Sequence, residues 1–440
     1  MNPLTRLAAT VEEALAELPV VRVGGTVTDV SPTAYRVAGL SSFVKLGDRV
    51  GVRDGNRLIA GEAIRIDRDT VSVKPFEDRI AVGVGATAFR MGAMGLRPHP
   101  DWIGRVVNAL GDPLDGGGPL ARGDRTMPAD REPPAAMTRA RIDKPLRTGI
   151  KVIDLFTPIC EGQRIGIFAG SGVGKSTMLA MIARAESFDV VVVGLVGERG
   201  REVREFLEGP LKDNRAKSVV IVSTGDESPM MRRLAPQSAT AVAEYFRDLG
   251  KSVLLIIDSV TRYAHAARDV ALAAGEPAVA RGYAPSTFSE LPRLLERAGP
   301  GAEGAGTITG IFSVLVDGDD HNDPVADSIR GTLDGHVVLD RAIADQGRFP
   351  AVNVLGSISR LAELVWSKEQ RELVRRLRGM IARFEDTRDL RLMGGYHAGS
   401  DPDLDQAVAL VPKVYEALRQ SPDTGLVRDA FSDLAQLMRG

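Results

Sequence analysis

The sequence predicts an α/β fold in which a mainly parallel sheet forms the centre, a small N-terminal β-barrel precedes it and a C-terminal helical domain follows. Three observations carry this. From about residue 146 to 365, strand-like apolar runs (RIGIFAG, VVVVGLVG, SVVIVST, SVLLIID, ITGIFSVLV) alternate with helix-like stretches, the pattern of a parallel sheet covered by helices on both faces. Residues 20–90 instead hold short β-rich runs separated by Gly, Asp and Asn turns, without helices between them, which suits a barrel or sandwich. After Leu364 the chain turns helical and highly charged (KEQRELVRRLRGMIARFEDTRDLRLM).

Taken in order, residues 1–19 read as one amphipathic helix. Leu4, Leu7, Ala8, Val11, Leu15 and Leu18 recur at three- and four-residue steps, and Pro19 stops the run. Such a helix either packs on its own domain or, being terminal and easily released, docks on a partner. Between residues 20 and 85 the aromatics are Tyr35, Phe43 and Phe76, each expected in a core. A nucleic-acid barrel needs aromatic stacking platforms, so the barrel reads as scaffold. Residues 91–145 are rich in Gly and Pro yet contain Trp102, Ile103 and Val106, which need burial. They form an ordered lead-in, so the central domain runs over 91–365 and the helical domain over 366–440.

Composition narrows the function classes. Of 440 residues, 44% are apolar and 26% charged, ordinary for a globular chain, and the length implies two or three domains. Lys plus Arg number 56 and Asp plus Glu 58, a net charge of −2, which argues against a polyelectrolyte partner. The single cysteine, Cys160, excludes an intrachain disulfide and suits a reducing cytosol; it reads as a small buried hydrophobe. The first residues carry Glu12, Glu13 and Glu17 and no basic region before an apolar core, unlike a secretory signal. No apolar run approaches the ~18 residues of a membrane span. The five histidines are scattered, so no metal-ligand spacing of His and Cys occurs; His321 reads as part of a solvated acidic loop.

The strongest chemical signal is IGIFAGSGVGKST at 165–177. A strand runs into the turn Ala169, Gly170, Ser171, Gly172, Val173, Gly174, Lys175, Ser176, and after Thr177 a helix begins at MLAMIARA. Glycines let backbone N–H groups converge on phosphate oxygens, and the helix N-terminus adds its positive end. Lys175 would reach the β and γ phosphates and the Ser176 hydroxyl would ligate Mg2+. Ala169 stands where the strict pattern has Gly. Phosphoryl transfer to water also needs a magnesium acid, a base and a positive charge. Asp258 ends the apolar run SVLLIID and suits the first role, or else caps the next helix. Glu198 ends VVVVGLVGE and suits the second, or else pairs on the surface with Arg199 or Arg201. For the charge, composition cannot choose among Arg262, Arg281, Arg330, Arg341 and Arg360.

Together these blocks resemble the catalytic ATPases of rotary ATP synthases and, more closely, the protein-export ATPases of flagella and type III secretion systems. AGSGVGKST, Ala169 included, GERGREVREF, ATAVAEYFRDLGKSVLLIIDSVTRYA, GEPAVARGYAPSTFSELPRLLERAG, DPVADSIRGTLDGHVVLDRAIA and YHAGSDPDLDQAV are similar to export-ATPase blocks in the same order. The resemblance implies a RecA-like P-loop domain and a homohexameric ring with ATP and Mg2+ at subunit interfaces. It implies that Glu198 activates water, that Arg199 is its active-site neighbour, and that Asp258 is the Mg2+-associated acid. Phe349, in GRFPAV, would pack against adenine, and Arg360, in VLGSISR, would be the arginine finger inserted into the adjacent subunit. Ala284 stands where Pro is frequent. The resemblance further implies a stator-like regulatory subunit at the N-terminal helix, contact with an export gate, chaperones and export substrates, and a cytoplasmic protein peripherally associated with the inner-membrane export apparatus. Flagellar export is favoured over a virulence injectisome. An ATP-synthase catalytic subunit shares the loop, Glu198 and Arg360, but DPDLDQAV and the GSGVG loop favour export. A non-catalytic ring subunit would lack Glu198, and an RNA translocase would want a basic, aromatic-rich barrel.

Overall fold

The computed structural model describes residue 4, residues 22–55, 57–316 and 323–425, and residues 427–439. The helix expected over 1–19, Leu4 apart, and His321 therefore lie outside the described residues. The chain divides into two compact units: residues up to Met94 with Val270–Glu276, and Gly95–Asp269 with Pro277–Gly440.

The first unit is a closed barrel of six strands. They are β1 (Gly24–Val30), β2 (Tyr35–Ala38), β3 (Asp48–Asp54), β4 (Arg57–Ile66), β5 (Thr70–Pro75) and β6 (Thr87–Ala93), in the order β1-β2-β5-β4-β3-β6. Neighbours are antiparallel, and β6 closes on β1 with Phe89 opposite Gly24. Alternation fills the interior with Val27, Tyr35, Val37, Val50, Val52, Ile59, Val71 and Val73, as a barrel this small requires. Tyr35 and Phe76 are buried as expected, but Phe43 is 55% exposed. It sits in the loop before β3, where no alternation directs it inward.

The second unit is built on a nine-stranded sheet. Its strands are β7 (Val106–Asn108), β8 (Arg164–Ala169), β9 (Val190–Glu198), β10 (Ser218–Thr224), β11 (Ser252–Asp258), β12 (Thr307–Leu315), β13 (Gly335–Leu339) and β14 (Ile358–Ser359). The order is β14-β13-β8-β12-β11-β9-β10-β7, and Gly299–Pro300 adds a two-residue strand beside β12. All pairings are parallel except those of β14 and Gly299–Pro300. In β9 the first eight residues are buried, which is why its sequence is an unbroken apolar run rather than an alternation. The lead-in is ordered: Trp102 and Val106 are buried, Ile103, expected with them, is only half-buried, and Val106–Asn108 forms the far edge of the sheet.

Helices α1 (Lys175–Ala183), α2 (Gly200–Glu208), α3 (Pro229–Asp248) and α4 (Val260–Ala273) follow β8, β9, β10 and β11. The longest, α3, starts at Pro229 with the Ser228 hydroxyl accepting from Met231 N, a cap that satisfies one of the otherwise free amides. Inside this unit Arg297 meets Glu244 of α3 through two 3.0 Å hydrogen bonds, both side chains almost fully buried. The same guanidinium donates to Ala129 O of the lead-in, which fastens that segment to the sheet domain. Cys160 is fully buried.

The helical end consists of α5 (Lys368–Asp386), α6 (Pro402–Leu418) and α7 (Ala430–Arg439). Ser367 and Gln370 form a reciprocal cap at the start of α5. Val374, Leu377 and Ile381 of α5 and Leu404, Ala407, Val411 and Val414 of α6 are buried, as are Ala417 and Leu418 at the end of α6, mostly at three- and four-residue steps that put each set on one helix face. They belong, Leu404 apart, to the same apolar cluster as Ile165 and Ile167 of β8.

Candidate functional site

Strand β8 delivers the phosphate loop. Its last residue, Ala169, is buried, and Gly172 and Gly174 take φ of 78° and 93°, the left-handed region that glycine enters without cost. Gly174 precedes Lys175, where α1 begins, so free amides of the first helical turn open into a cavity of ≈ 520 Å³.

Three strand ends converge on this cavity. The Lys175 ammonium donates to Asp258 Oδ1 at the end of β11 and lies 3.8 Å from Glu198 Oε1 at the end of β9. Asp258 also accepts from Ser313 Oγ of β12 at 2.8 Å and is 3% exposed. The helix-cap alternative for Asp258 goes instead to Ser259, whose hydroxyl accepts from Arg262 N. Nor does Glu198 pair with Arg199 or Arg201: those pair with Glu202 and Glu205 on α2. Its partners are Lys175 and Arg262, the latter at 3.4 Å, while Arg262 also donates to Gly197 O. Gly197, at φ 68°, would carry a Cβ 2.8 Å from the Arg262 side chain, so glycine here admits the arginine beside Glu198. Burial, followed by the hydrogen bond shared with Glu202, pushes the Glu198 carboxyl up from 4.5 to about 7, against the pull of Lys175 and Arg262. Glu202 is correspondingly held below its ordinary value by the same hydrogen bond.

The remaining sequence-expected residues are distributed around this centre. Arg199 lines the cavity with its side chain 79% exposed. Phe349, 45% exposed, lines a second, mainly apolar cavity of ≈ 420 Å³ with Met178, Met181, Pro350 and Pro422. The two cavities share Gly174 and Thr177, so the start of α1 separates a base-sized apolar pocket from a polar one. Gln420 closes the former from the helical end: its N–H donates to Phe349 O at 3.0 Å, and its amide bridges Lys151 N and Gly149 O.

Arg360 lies elsewhere. Its N–H donates to Asp334 O, and Asp334 N donates to Arg164 O, the first residue of β8. The phosphate loop follows the last residue of that strand, so Arg360 stands at the opposite end of the sheet, about 17 Å away along β8. Its side chain is exposed. The other arginines have local occupations: Arg330 lies 4.9 Å over the Phe168 ring, Arg281 faces Asp323 at 3.7 Å, and Arg341 donates to Ser171 O at 2.9 Å. Glu202 and Ser313 had no role assigned from sequence, whereas Arg262, one of the five candidates for the positive charge, sits beside Glu198. The acidic first turn of α2 was a visible signal for Glu202; Ser313 meets Asp258 only through strand pairing.

Comparison with known proteins identifies relatives over nearly the whole chain. Residues 149–359 match the family model "ATP synthase alpha/beta family, nucleotide-binding domain", and residues 366–436 match "T3SS EscN ATPase C-terminal domain". The chain is 57% identical over 417 residues to the flagellum-specific ATP synthase of Agrobacterium fabrum, covering 95% of this chain and 88% of that protein. It is 42% identical to the type 3 secretion system ATPase of Xanthomonas euvesicatoria, covering 95% and 94%. The structure superposes on assembled EscN, from the type III secretion system of enteropathogenic E. coli, with a TM-score of 0.86 at 37% identity, covering 94% of this chain and 99% of that one. Near-full-length identity of this order, over a site that holds a phosphate loop and two converging carboxylates, assigns the chain to the family of flagellum-specific and type III secretion ATPases.

Proposed function

We propose that the chain hydrolyses ATP at the interface between two copies of itself, and that this hydrolysis energises flagellar protein export. The observation that carries the reading is a division of the machinery: Lys175, Glu198 and Asp258 converge at one end of the sheet, while Arg360 stands exposed at the other.

In this reading the amides from Gly170 to Thr177 cradle the phosphates and Lys175 holds the β and γ groups. Phe349 stacks on adenine in the apolar pocket. Ser176 and Asp258 offer hydroxyl and carboxylate oxygens, and among the described residues no group of three His, Cys, Asp or Glu could cage a metal ion. That donor set fits Mg2+, which takes one or two protein oxygens and fills its shell with phosphate and water. Bound with ATP, Mg2+ neutralises charge on the phosphates. Glu198 takes a proton from water as the water oxygen bonds to the γ phosphorus. The bond from that phosphorus to the β–γ bridging oxygen breaks, and ADP and phosphate leave. A carboxyl near neutrality suits a proton acceptor at physiological pH. Arg199 adds positive charge at the cavity, and Arg360 of a neighbouring copy stabilises the charge that develops on the transferred group, worth about 10³–10⁵ in rate for fingers of this type.

Flagellar rather than injectisome export is favoured because relatives at 57% and 55% identity are flagellum-specific, against 42% for the secretion-system relative. Assembled EscN and its complex with the central stalk EscO support a homohexameric ring with a stalk partner. The N-terminal helix would meet a stator-like regulatory subunit, and the ring would receive chaperones and export substrates at a membrane gate. Among the described residues no helix is long and apolar enough to cross a membrane, in line with peripheral attachment.

Mixing two inactive variants tests the shared site. Glu198→Gln chains still offer Arg360, and Arg360→Ala chains still offer Glu198. Mixed rings should therefore recover a substantial part of the wild-type ATPase rate. No recovery in demonstrably mixed rings would remove the trans assignment.

A further inference from the structure

We propose that Arg341 is a positioning residue of the phosphate loop: it holds the Ser171–Gly172 peptide so that the Gly172 N–H faces the polyphosphate. The proposal rests on the reading of this cavity as an ATP site. Arg341 Nη2 donates to Ser171 O at 2.9 Å. The Ser171–Gly172 bond is not among the cis peptides, and in a planar trans peptide the C=O and the following N–H point in opposite directions. A carbonyl held outward therefore turns the Gly172 amide inward. Gly172 lines the cavity and Arg341 does not, so the guanidinium grips the loop from its outer side.

Among the described residues no other hydrogen bond holds that peptide. Gly172 is exposed and has no atom within 4 Å of where its Cβ would stand, so packing anchors the turn at the buried Val173 but not at Gly172 itself. Its φ of 78° lies in the left-handed region, which glycine enters about as readily as the right-handed one. Arg341, by contrast, is firmly based. Asp340 caps the short helix Arg341–Asp345 by accepting from Ala342 N at 2.8 Å, receives Asn353 Nδ2 at 3.1 Å, and donates its own N–H to Ala351 O. The segment that starts at Arg341 also carries Phe349, and Arg348 lies 3.9 Å over the Tyr415 ring of α6. One stretch of chain thus links phosphate loop, base pocket and helical end.

The experiment uses the full chain with Arg341→Ala and Arg341→Lys, titrated with Mg-ADP and, by competition, with adenosine. Arg341→Ala should weaken Mg-ADP about tenfold, the worth of one charge-assisted hydrogen bond near 1.4 kcal/mol. Adenosine affinity should stay within about twofold, and the nucleotide-free melting temperature should be unchanged. Arg341→Lys should restore most of the Mg-ADP affinity, because a single donor suffices for the carbonyl. Equal loss for both ligands, or loss for neither, overturns the proposal. So does a fall in kcat with Mg-ADP affinity intact, which would put the guanidinium on the reacting phosphate itself. A wild-type chain that failed to bind Mg-ADP would remove the ATP site, and the proposal with it.

Discussion

Exchanging Glu198 for Gln should make the nucleotide-free chain more heat-stable at alkaline pH while abolishing turnover. Burial and the hydrogen bond with Glu202 push this carboxyl from 4.5 to about 7. Between those two values the folded chain keeps a proton that the unfolded chain has released. Stability therefore falls as pH rises through that window and stays lower above it. About 2.5 pH units at about 1.36 kcal/mol each gives a ceiling near 3 kcal/mol. Glu202, held low by the same shared proton, returns part of this, leaving about 1–2 kcal/mol. Gln mimics the protonated acid and can still hydrogen-bond Glu202. Calorimetric melts without nucleotide should coincide near pH 4.5 and separate by a few degrees, in favour of the variant, at pH 8.5. In wild type, kcat/KM should rise with pH and level off above about pH 7. Equal melting temperatures at both pH values would show that the Glu198 charge carries no folding penalty, and the reasoning would fail.

Other substitutions follow from the same geometry. Lys175→Met leaves the buried Asp258 with Ser313 as its remaining side-chain hydrogen-bond partner among the described residues and should cost about 3 kcal/mol in urea unfolding, much of which Lys175→Met with Asp258→Asn should restore. Phe349→Ala should raise the KM for ATP about tenfold with kcat within about twofold, since stacking on a base contributes about 1–3 kcal/mol. Glu244→Gln strands the buried Arg297 charge and should destabilise by about 3 kcal/mol, whereas replacing both with Met should recover part of that in the same measurement, the remainder being the lost bond from Arg297 to Ala129 O.

What the sequence reveals and what it hides divide along local and non-local lines. The five apolar runs became β8 to β12 because an uninterrupted Val/Ile/Leu stretch has few alternatives to a strand covered on both faces. The phosphate loop was legible because its chemistry is contiguous. Asp258 and Glu198 were legible as acids at strand ends, but only the parallel register brings both to Lys175. That Arg262 would attend Glu198 could not be read, because the pairing depends on a left-handed Gly197 and on the order of β9 and β11. Phe43 was misplaced because burial was inferred from residue type in a loop that imposes no alternation. The tie between Arg341 and Ser171 spans 170 residues, far beyond any local pattern.

The sheet that carries the site ends in two stubs, Val106–Asn108 on one side and Ile358–Ser359 on the other, and the barrel has no open strand at all. Long unpaired strand edges are what let chains add to one another indiscriminately through their backbones. In the ring proposed above, that route between copies is narrow. Contact between copies in that proposed ring would then rest on side chains rather than on added strands, and chains awaiting assembly would have little backbone edge to tangle through.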